Sequence, residues 1–212
     1  MSAESDLAFM QRALAIARGQ LGRVAPNPAV GCVIVKNGAE IAANYTHDGG
    51  RPHAEESALA DIGAAAQGAD VFVTLEPCGE RSNGTRSCAG RLIDARVARV
   101  VIAIANPHHH TAGVGLDDLR KAGIKIELGL CEAEARELNA GFFCLLETGR
   151  PLVVIGGDRR TCDDVFSQED GESPADALDR FGRAGMTRVW VRENMPLVRA
   201  LEGTGVARTV RS

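Results

Sequence analysis

The sequence predicts an α/β protein: a three-layer α/β/α sandwich on a mixed sheet, followed by a small C-terminal α/β appendage. Beyond residue 70, strand-like apolar runs alternate with helical patterns, as a mainly parallel sheet flanked by helices requires. Before it, two runs meet at Asn37-Gly38, a hairpin turn, which adds an antiparallel pair. After Gly149-Arg150-Pro151 the composition shifts, and the polar acidic stretch 167–173 reads as a linker or long loop. The remaining residues, roughly sixty, are too few for an independent α/β domain of usual size. The expected organisation is therefore one domain over 1–150 with a shortened appendage over 151–212 packed on it.

Taken in order, Asp6 is expected to cap a first helix with apolar face Leu7, Met10, Leu14 and Ala17, stopped by Gly19. Past the breaker Pro26-Asn27-Pro28, the β-branched run Val30 to Val35 and the segment Glu40 to Asn44 form the hairpin. Gly49-Gly50-Arg51-Pro52 turns the chain into a helix from His53 to Ile62. Strands follow at Val71 to Leu75, Val100 to Ile104 and Ile124 to Leu128, with helices at Cys88 to Ala95, Leu116 to Ala122 and Ala133 to Leu146. The appendage offers strand Leu152 to Ile155, a Ser173-capped helix Pro174 to Ala184 and strand Val189 to Val191. Met195 to Leu201 and Val206 to Val210 then repeat the alternation. Sites in such sheets lie at the carboxyl ends of strands, where Leu75-Glu76-Pro77-Cys78 falls.

Composition narrows the function. Hydrophobic residues at 45% and charged residues at 25% are those of an ordinary globular protein, and no apolar run approaches membrane-spanning length. The N-terminus lacks the basic and apolar regions of a signal peptide, so a cytoplasmic protein without membrane contact is expected. A net charge of −4 argues against nucleic acid as a partner and in favour of a small molecule. Six cysteines without a secretory signal are not a disulfide framework. Cys32 and Cys144 lie in apolar runs, and Cys131 and Cys162 have no chemistry beside them. Cys78 and Cys88 remain.

Those two, with His53, form a metal-ligand pattern. Two thiolates and a neutral imidazole neutralise Zn²⁺ and leave the fourth tetrahedral position for water, which marks a catalytic site. Zinc lowers that water's pKa to about 7. Glu55 stands two residues from His53, on a different helix face, so the metal has to cap the helix end for both to reach the reaction. Glu55 then serves as general acid and base, taking the water's proton, delivering it to a ring nitrogen and later protonating the departing ammonia. His-x-Glu, Pro-Cys and a further Cys, in that order, match the zinc deaminase signature except for the last spacing. Nine residues lie between the cysteines, so this loop has to bulge out before returning the second thiolate, and it is expected to reach the substrate.

The long inter-cysteine loop, Pro26-Asn27-Pro28-x-Val30-Gly31 upstream and Pro52-His53-Ala54-Glu55 between them resemble the deaminase half of the bifunctional riboflavin-biosynthesis deaminase/reductase family. The likeness runs from about Leu7 to Pro151 and includes Thr74-Leu75-Glu76-Pro77-Cys78, Ala112-Gly113-x-Gly115-Leu116 and Leu138-Asn139-x-Gly141-Phe142-Phe143. It implies a cytidine deaminase-like fold, a zinc cofactor, and deamination of 2,5-diamino-6-(ribosylamino)pyrimidinone 5′-phosphate to its 5-aminouracil counterpart. It also implies that His53, Cys78 and Cys88 hold zinc, that Glu55 is catalytic, and that Asn27 and His47 meet substrate.

The chain departs from the family where the ribose phosphate binds. Gly84-Thr85-Arg86-Ser87-Cys88 replaces Gly-Arg/Lys-Thr-Pro-Pro-Cys, leaving Thr85 and Arg86 as the candidate phosphate contacts. Asn106-Pro107-His108-His109 replaces Asp-Pro-Asn-Pro, placing an amide, Asn106, where a carboxylate could hold ribose hydroxyls. The triple histidine His108 to His110 reads as a solvated loop rather than a second metal site. Gly149-Arg150-Pro151-Leu152-Val153 and the segment 185–194 resemble the two ends of the family's NADPH-dependent reductase domain, whose middle is missing. Where that domain's glycine-rich turn approaches the cofactor, this chain has Val191-Arg192-Glu193-Asn194, so a reductase remnant without NADPH binding is expected, with a structural role at an oligomer contact. A homo-oligomer, dimer or larger, is expected. Two other readings fit the same residues: a paralogous deaminase of another base or nucleotide, and a zinc-bearing scaffold without activity.

Overall fold

The computed structural model describes residues 2–81, 84–106 and 113–210. The chain divides into two compact units: Met1–Gly19, Ala29–His47 and Arg51–Leu138 form one, and Gln20–Pro28, Asp48–Gly50 and Asn139–Ser212 the other.

In the first unit, helix α1 (Ala3–Arg18) precedes the hairpin β1 (Gly31–Lys36) and β2 (Ala39–Tyr45). Then follow α2 (Ala54–Ile62), β3 (Asp70–Val73), α3 (Cys88–Asp94), β4 (Arg99–Ile102), α4 (Val114–Lys121), β5 (Lys125–Leu128) and α5 (Glu132–Leu138). The five strands lie in the order β2-β1-β3-β4-β5. Strand β1 is antiparallel to both neighbours, whereas β3, β4 and β5 are parallel. This is the mixed sheet expected. Asn37 and Gly38 both take positive φ, which lets the turn follow the strands' twist.

Helix α1 packs on β1, β2, β3 and α5, while α2, α3 and α4 pack in series, α2 over β1 and β2 and α4 against β5. Gly31 lets α1 rest directly on β1, because a methyl group there would overlap the carbonyl of Ala13. Met10, Ile34, Phe72, Leu92, Ile102 and Leu119 are fully buried between the layers. Each contributes about 1.5–3 kcal/mol by leaving water.

An ionic hub closes the end of the sheet where β3, β4 and β5 begin. The Arg99 guanidinium, at the start of β4, pairs with Asp6 at 2.7 Å, Asp70 at 3.0 Å and Glu127 at 3.2 Å, and lies over the Phe72 ring. This hub corrects the expectation for α1. Ser2, not Asp6, is the cap, its hydroxyl accepting from the Ser5 N–H at 3.2 Å. Asp6 instead lies on the buried face with Met10, Ala13, Leu14 and Ala17, and Leu7 is exposed.

Strands β6 (Leu152–Gly156), β7 (Asp164–Val165), β8 (Arg188–Val191) and β9 (Ala207–Val210) of the second unit are all parallel, ordered β7-β8-β6-β9. They alternate with α6 (Ala140–Thr148), α7 (Pro174–Arg183) and α8 (Val198–Glu202). Alternating strand residues serve two cores: Val153, Ile155, Val189 and Val191 meet Leu178, Phe181 and Leu201, while Leu152 and Val154 meet Ala140 and Cys162. The Asp163 carboxylate accepts from the Thr187 N–H at 2.6 Å, the Thr187 hydroxyl at 2.8 Å and the Arg188 N–H at 2.9 Å, fixing the start of β8 beside β7. As expected, Ser173 caps α7, accepting from the Asp176 N–H at 3.2 Å.

Two further boundaries differ from the sequence reading. The single helix expected over 133–146 is two, broken at buried Asn139, whose φ of −98° and ψ of 17° leave the helical range. Gly141, in the first turn of α6, is in close approach to Thr187 and Arg188, where a methyl group would overlap both. The two-residue β7 has no hydrophobic period of its own to announce it.

Candidate metal centre

Three donor atoms converge at the carboxyl end of β3 and the first turns of α2 and α3. His53 is the N-cap of α2, with extended φ and ψ of −72° and 160°, so its ring leaves the helix axis at its end. Cys78 lies on the segment after β3, and Cys88 opens α3, where Ser87 caps the helix by accepting from the Gly90 N–H at 3.1 Å. The His53 Nδ1 atom stands 3.8 Å from the Cys78 sulfur and 3.4 Å from the Cys88 sulfur, and all three donors lie within 4.8 Å of one another. Zn–N bonds of about 2.0 Å and Zn–S bonds of about 2.3 Å at tetrahedral angles set N···S distances of about 3.6 Å. The group therefore fits zinc in donor type and spacing. All six cysteines are free thiols, and among the described residues this is the group able to hold a metal ion.

Hydrogen bonds favour charge at this point. The Cys88 N–H donates to the Cys78 sulfur at 3.3 Å. Hydrogen bonding from Cys88, joined by His53 and Arg81, holds the Cys78 thiol far below its usual range, to about 3, whereas the same contact and burial push Cys88 up. Glu55, in the first turn of α2, is 3% exposed. Burial and the negative charge of Cys78 raise its carboxyl above the usual range, and the Cys88 thiol lies within hydrogen-bonding reach of it.

The support around these groups is built from glycine and carboxylate. Gly115 of α4 lies so close to the Pro77 carbonyl that a methyl group would overlap it, and Gly79 meets Val114 and Gly115 in the same way. Glu76 is buried and accepts from the Asn106 N–H at 3.0 Å and the Gly113 N–H at 2.8 Å, so one carboxylate holds the chain on both sides of the 107–112 segment. The triple histidine His108 to His110 lies outside the described residues, as do Ser82 and Asn83 of the inter-cysteine loop.

The other residues singled out in the sequence are placed as follows. His47 has its Nε2 atom 3.2 Å from Asn44 Oδ1 and stacks on the Tyr45 ring. Thr85 and Arg86 are exposed and line an open depression of about 420 Å³ in the inter-cysteine loop. The Arg86 guanidinium is turned onto Asp94 through bonds of 2.9 and 2.8 Å, and donates to the Gly90 carbonyl at 3.2 Å. Asn106 is half-buried beside Glu76. Asn27 belongs to the second unit, where its carboxamide occupies the space over Gly50.

Sequence reasoning missed the charges bracing the loop. Glu56 receives Arg81 at 2.9 Å and Arg91 at 2.8 Å, and despite its burial these two cations hold its carboxyl below the usual range. The Arg81 side chain is 3% exposed and also donates to the Cys88 sulfur at 3.4 Å. An arginine three residues after a ligand cysteine carries no signal of that partnership, because Glu56 stands 25 positions away.

Residues 3–104 match the cytidine and deoxycytidylate deaminase zinc-binding region, and that is the class of protein this fold and donor group define. The chain is 39% identical over 147 residues to a diaminohydroxyphosphoribosylamino-pyrimidine deaminase of Buchnera aphidicola, matching 69% of this chain and 99% of that one. It belongs to that deaminase family of riboflavin biosynthesis. It is also 41% identical over 155 residues to the riboflavin biosynthesis protein RibD of Aquifex aeolicus, covering 73% of this chain and 43% of that protein. The structure of Acinetobacter baumannii RibD, form 2, superposes with a TM-score of 0.70 at 30% identity, over 97% of this chain and 69% of that one. The chain spans less than half the length of the first curated RibD relatives it matches. No helix among the described residues is long and apolar enough to cross a membrane.

Proposed function

We propose that this chain is a zinc-dependent hydrolytic deaminase that converts 2,5-diamino-6-(ribosylamino)pyrimidinone 5′-phosphate to the 5-aminouracil counterpart. The observation that carries the reading is the three-donor group with buried Glu55 in the first turn of the helix that His53 caps. The Buchnera deaminase, matched along nearly its whole length, supports the substrate class.

His53, Cys78 and Cys88 would hold the zinc, which when bound acidifies water so that hydroxide is available near neutrality. The Glu55 carboxylate takes one proton of the attacking water and passes it to a ring nitrogen of the pyrimidine, then takes the second from the hydroxyl now on the ring carbon and gives it to the amino group, which leaves as ammonia while the carbonyl forms. Burial of Glu55 keeps bulk water from competing for that proton. Asn27, His47, Thr85, Arg86 and Asn106 are the proposed substrate contacts, and Arg86 has to exchange Asp94 for phosphate to act as one.

The deaminase is assigned to 1–150. Residues 151–212 are proposed to be a shortened reductase-like remnant that binds no NADPH. The Glu193 carboxylate supports this, since it fills the space over Gly156 at the carboxyl end of β6. A cytoplasmic homo-oligomer acting on a small pyrimidine nucleotide completes the proposal.

The experiment is ammonia release from the diaminopyrimidine phosphate by zinc-loaded protein. Turnover by the parent and a fall of about 10²- to 10⁴-fold in Glu55→Ala support the reading. Zinc-loaded protein that releases no ammonia refutes the substrate. Activity that survives Glu55→Ala refutes the mechanism. The engagement of Arg86 with Asp94 favours one second reading, a paralogue with another nucleotide substrate, which ammonia release from other aminopyrimidines would reveal.

A further inference from the structure

The loop between the two cysteines is tied down by a side chain that the deaminase chemistry does not itself require. Arg81 uses its two terminal nitrogens on different acceptors: Nη1 donates to Glu56 Oε2 at 2.9 Å, and Nη2 donates to the Cys88 sulfur at 3.4 Å. Glu56 follows Glu55 in the first turn of α2 and takes a second cation, Arg91 of α3, at 2.8 Å. One carboxylate therefore joins the helix that begins after His53, the loop, and the helix that begins at Cys88.

We propose that Arg81 is a positioning residue of the metal centre, holding the Cys88 sulfur in place and drawing electron density from it while Glu56 fixes the guanidinium. The proposal rests on the reading of His53, Cys78 and Cys88 as zinc ligands. A hydrogen bond to a ligand atom orients it and tunes the metal. Two thiolates already neutralise a dication, so a cation on one sulfur weakens that sulfur's donation and leaves the metal the stronger acid. Burial makes the effect larger than it would be in water. Arginine suits the task because its rigid fork spans two acceptors at once, whereas an ammonium on a flexible stem has no such fixed geometry.

Cobalt(II) tests this without turnover, because its thiolate charge-transfer band reports sulfur donation directly. The full chain, freed of metal, is titrated with Co(II) against a competing chelator, as parent, Arg81→Gln and Arg81→Lys. The expected result is one Co(II) per parent chain and affinity lowered about 10- to 100-fold in Arg81→Gln. The charge-transfer band shifts in the same variant, and Arg81→Lys recovers part of both. Parental affinity and band position in Arg81→Gln overturn the proposal while leaving the metal site intact. A parent that binds no Co(II) overturns the metal reading and the proposal with it. If Arg81→Gln does not fold, Arg81→Lys decides: a shifted band in a chain with parental circular dichroism supports the role, and an unshifted band overturns it.

Discussion

Arg99 grips Asp6 across 93 positions of chain through two parallel hydrogen bonds, Nη1 to Oδ2 at 2.7 Å and Nη2 to Oδ1 at 3.0 Å. Hydrogen bonding to Arg99 holds the Asp6 carboxyl below its usual range in the folded chain. A carboxyl whose folded pKa lies below its unfolded value, about 3.9, adds stability above that value and loses it as pH falls through the folded pKa. Asp6→Asn is expected to cost about 1–3 kcal/mol at pH 7, and its deficit relative to the parent should shrink below about pH 4. Urea unfolding at pH 7, 5 and 3 measures it. A deficit that stays constant from pH 7 to 3 would show that the charge of Asp6 contributes nothing.

Gly115→Ala brings a methyl group onto the Pro77 carbonyl, next to Cys78. Backbone has to shift on one side or the other, at a cost of about 1–3 kcal/mol. Both the melting temperature and the bound zinc per chain should fall. Unchanged zinc content would mean that α4 yields instead of the ligand segment.

Cys78→Ser replaces a soft thiolate with a hydroxyl that remains protonated near neutrality. Metal stoichiometry, measured by emission spectrometry after dialysis, is expected to fall from near one zinc per chain to near zero, and ammonia release with it. A fully loaded Cys78→Ser protein would remove Cys78 from the ligand set.

Asp163→Ala removes the acceptor of three hydrogen bonds from Thr187 and Arg188. The expected loss is about 2–4 kcal/mol, because Thr187 and Arg188 are both buried and their N–H groups lose their acceptor. Hydrogen exchange at the Thr187 and Arg188 amides should accelerate. Parental protection there would place the strength of the β7–β8 pairing elsewhere.

The alternation of runs beyond residue 70 and the Asn37-Gly38 turn were enough to predict a mixed sheet, because both are local signals that burial then enforces. The order His53-x-Glu55, Pro77-Cys78, Cys88 was equally legible, since metal chemistry restricts residue type and not merely hydrophobicity. What escaped were relationships between distant charges. Asp6 reads as a cap until Arg99 is seen beneath it, and nothing beside Glu56 in the chain announces Arg81 and Arg91, which reach it from the loop and α3. Asn139 sits in a continuous helical pattern, and nothing adjacent in sequence marks it as the point where α5 gives way to α6.

His53 stands 25 positions before Cys78, and Cys78 ten before Cys88. A metal held by all three is a cross-link that closes two successive stretches of chain, restricting the unfolded ensemble as a disulfide would, without an oxidising compartment. Chelation should therefore loosen the starts of α2 and α3 together, and the tolerance of this chain for change between residues 53 and 88 should depend on how much zinc its surroundings supply.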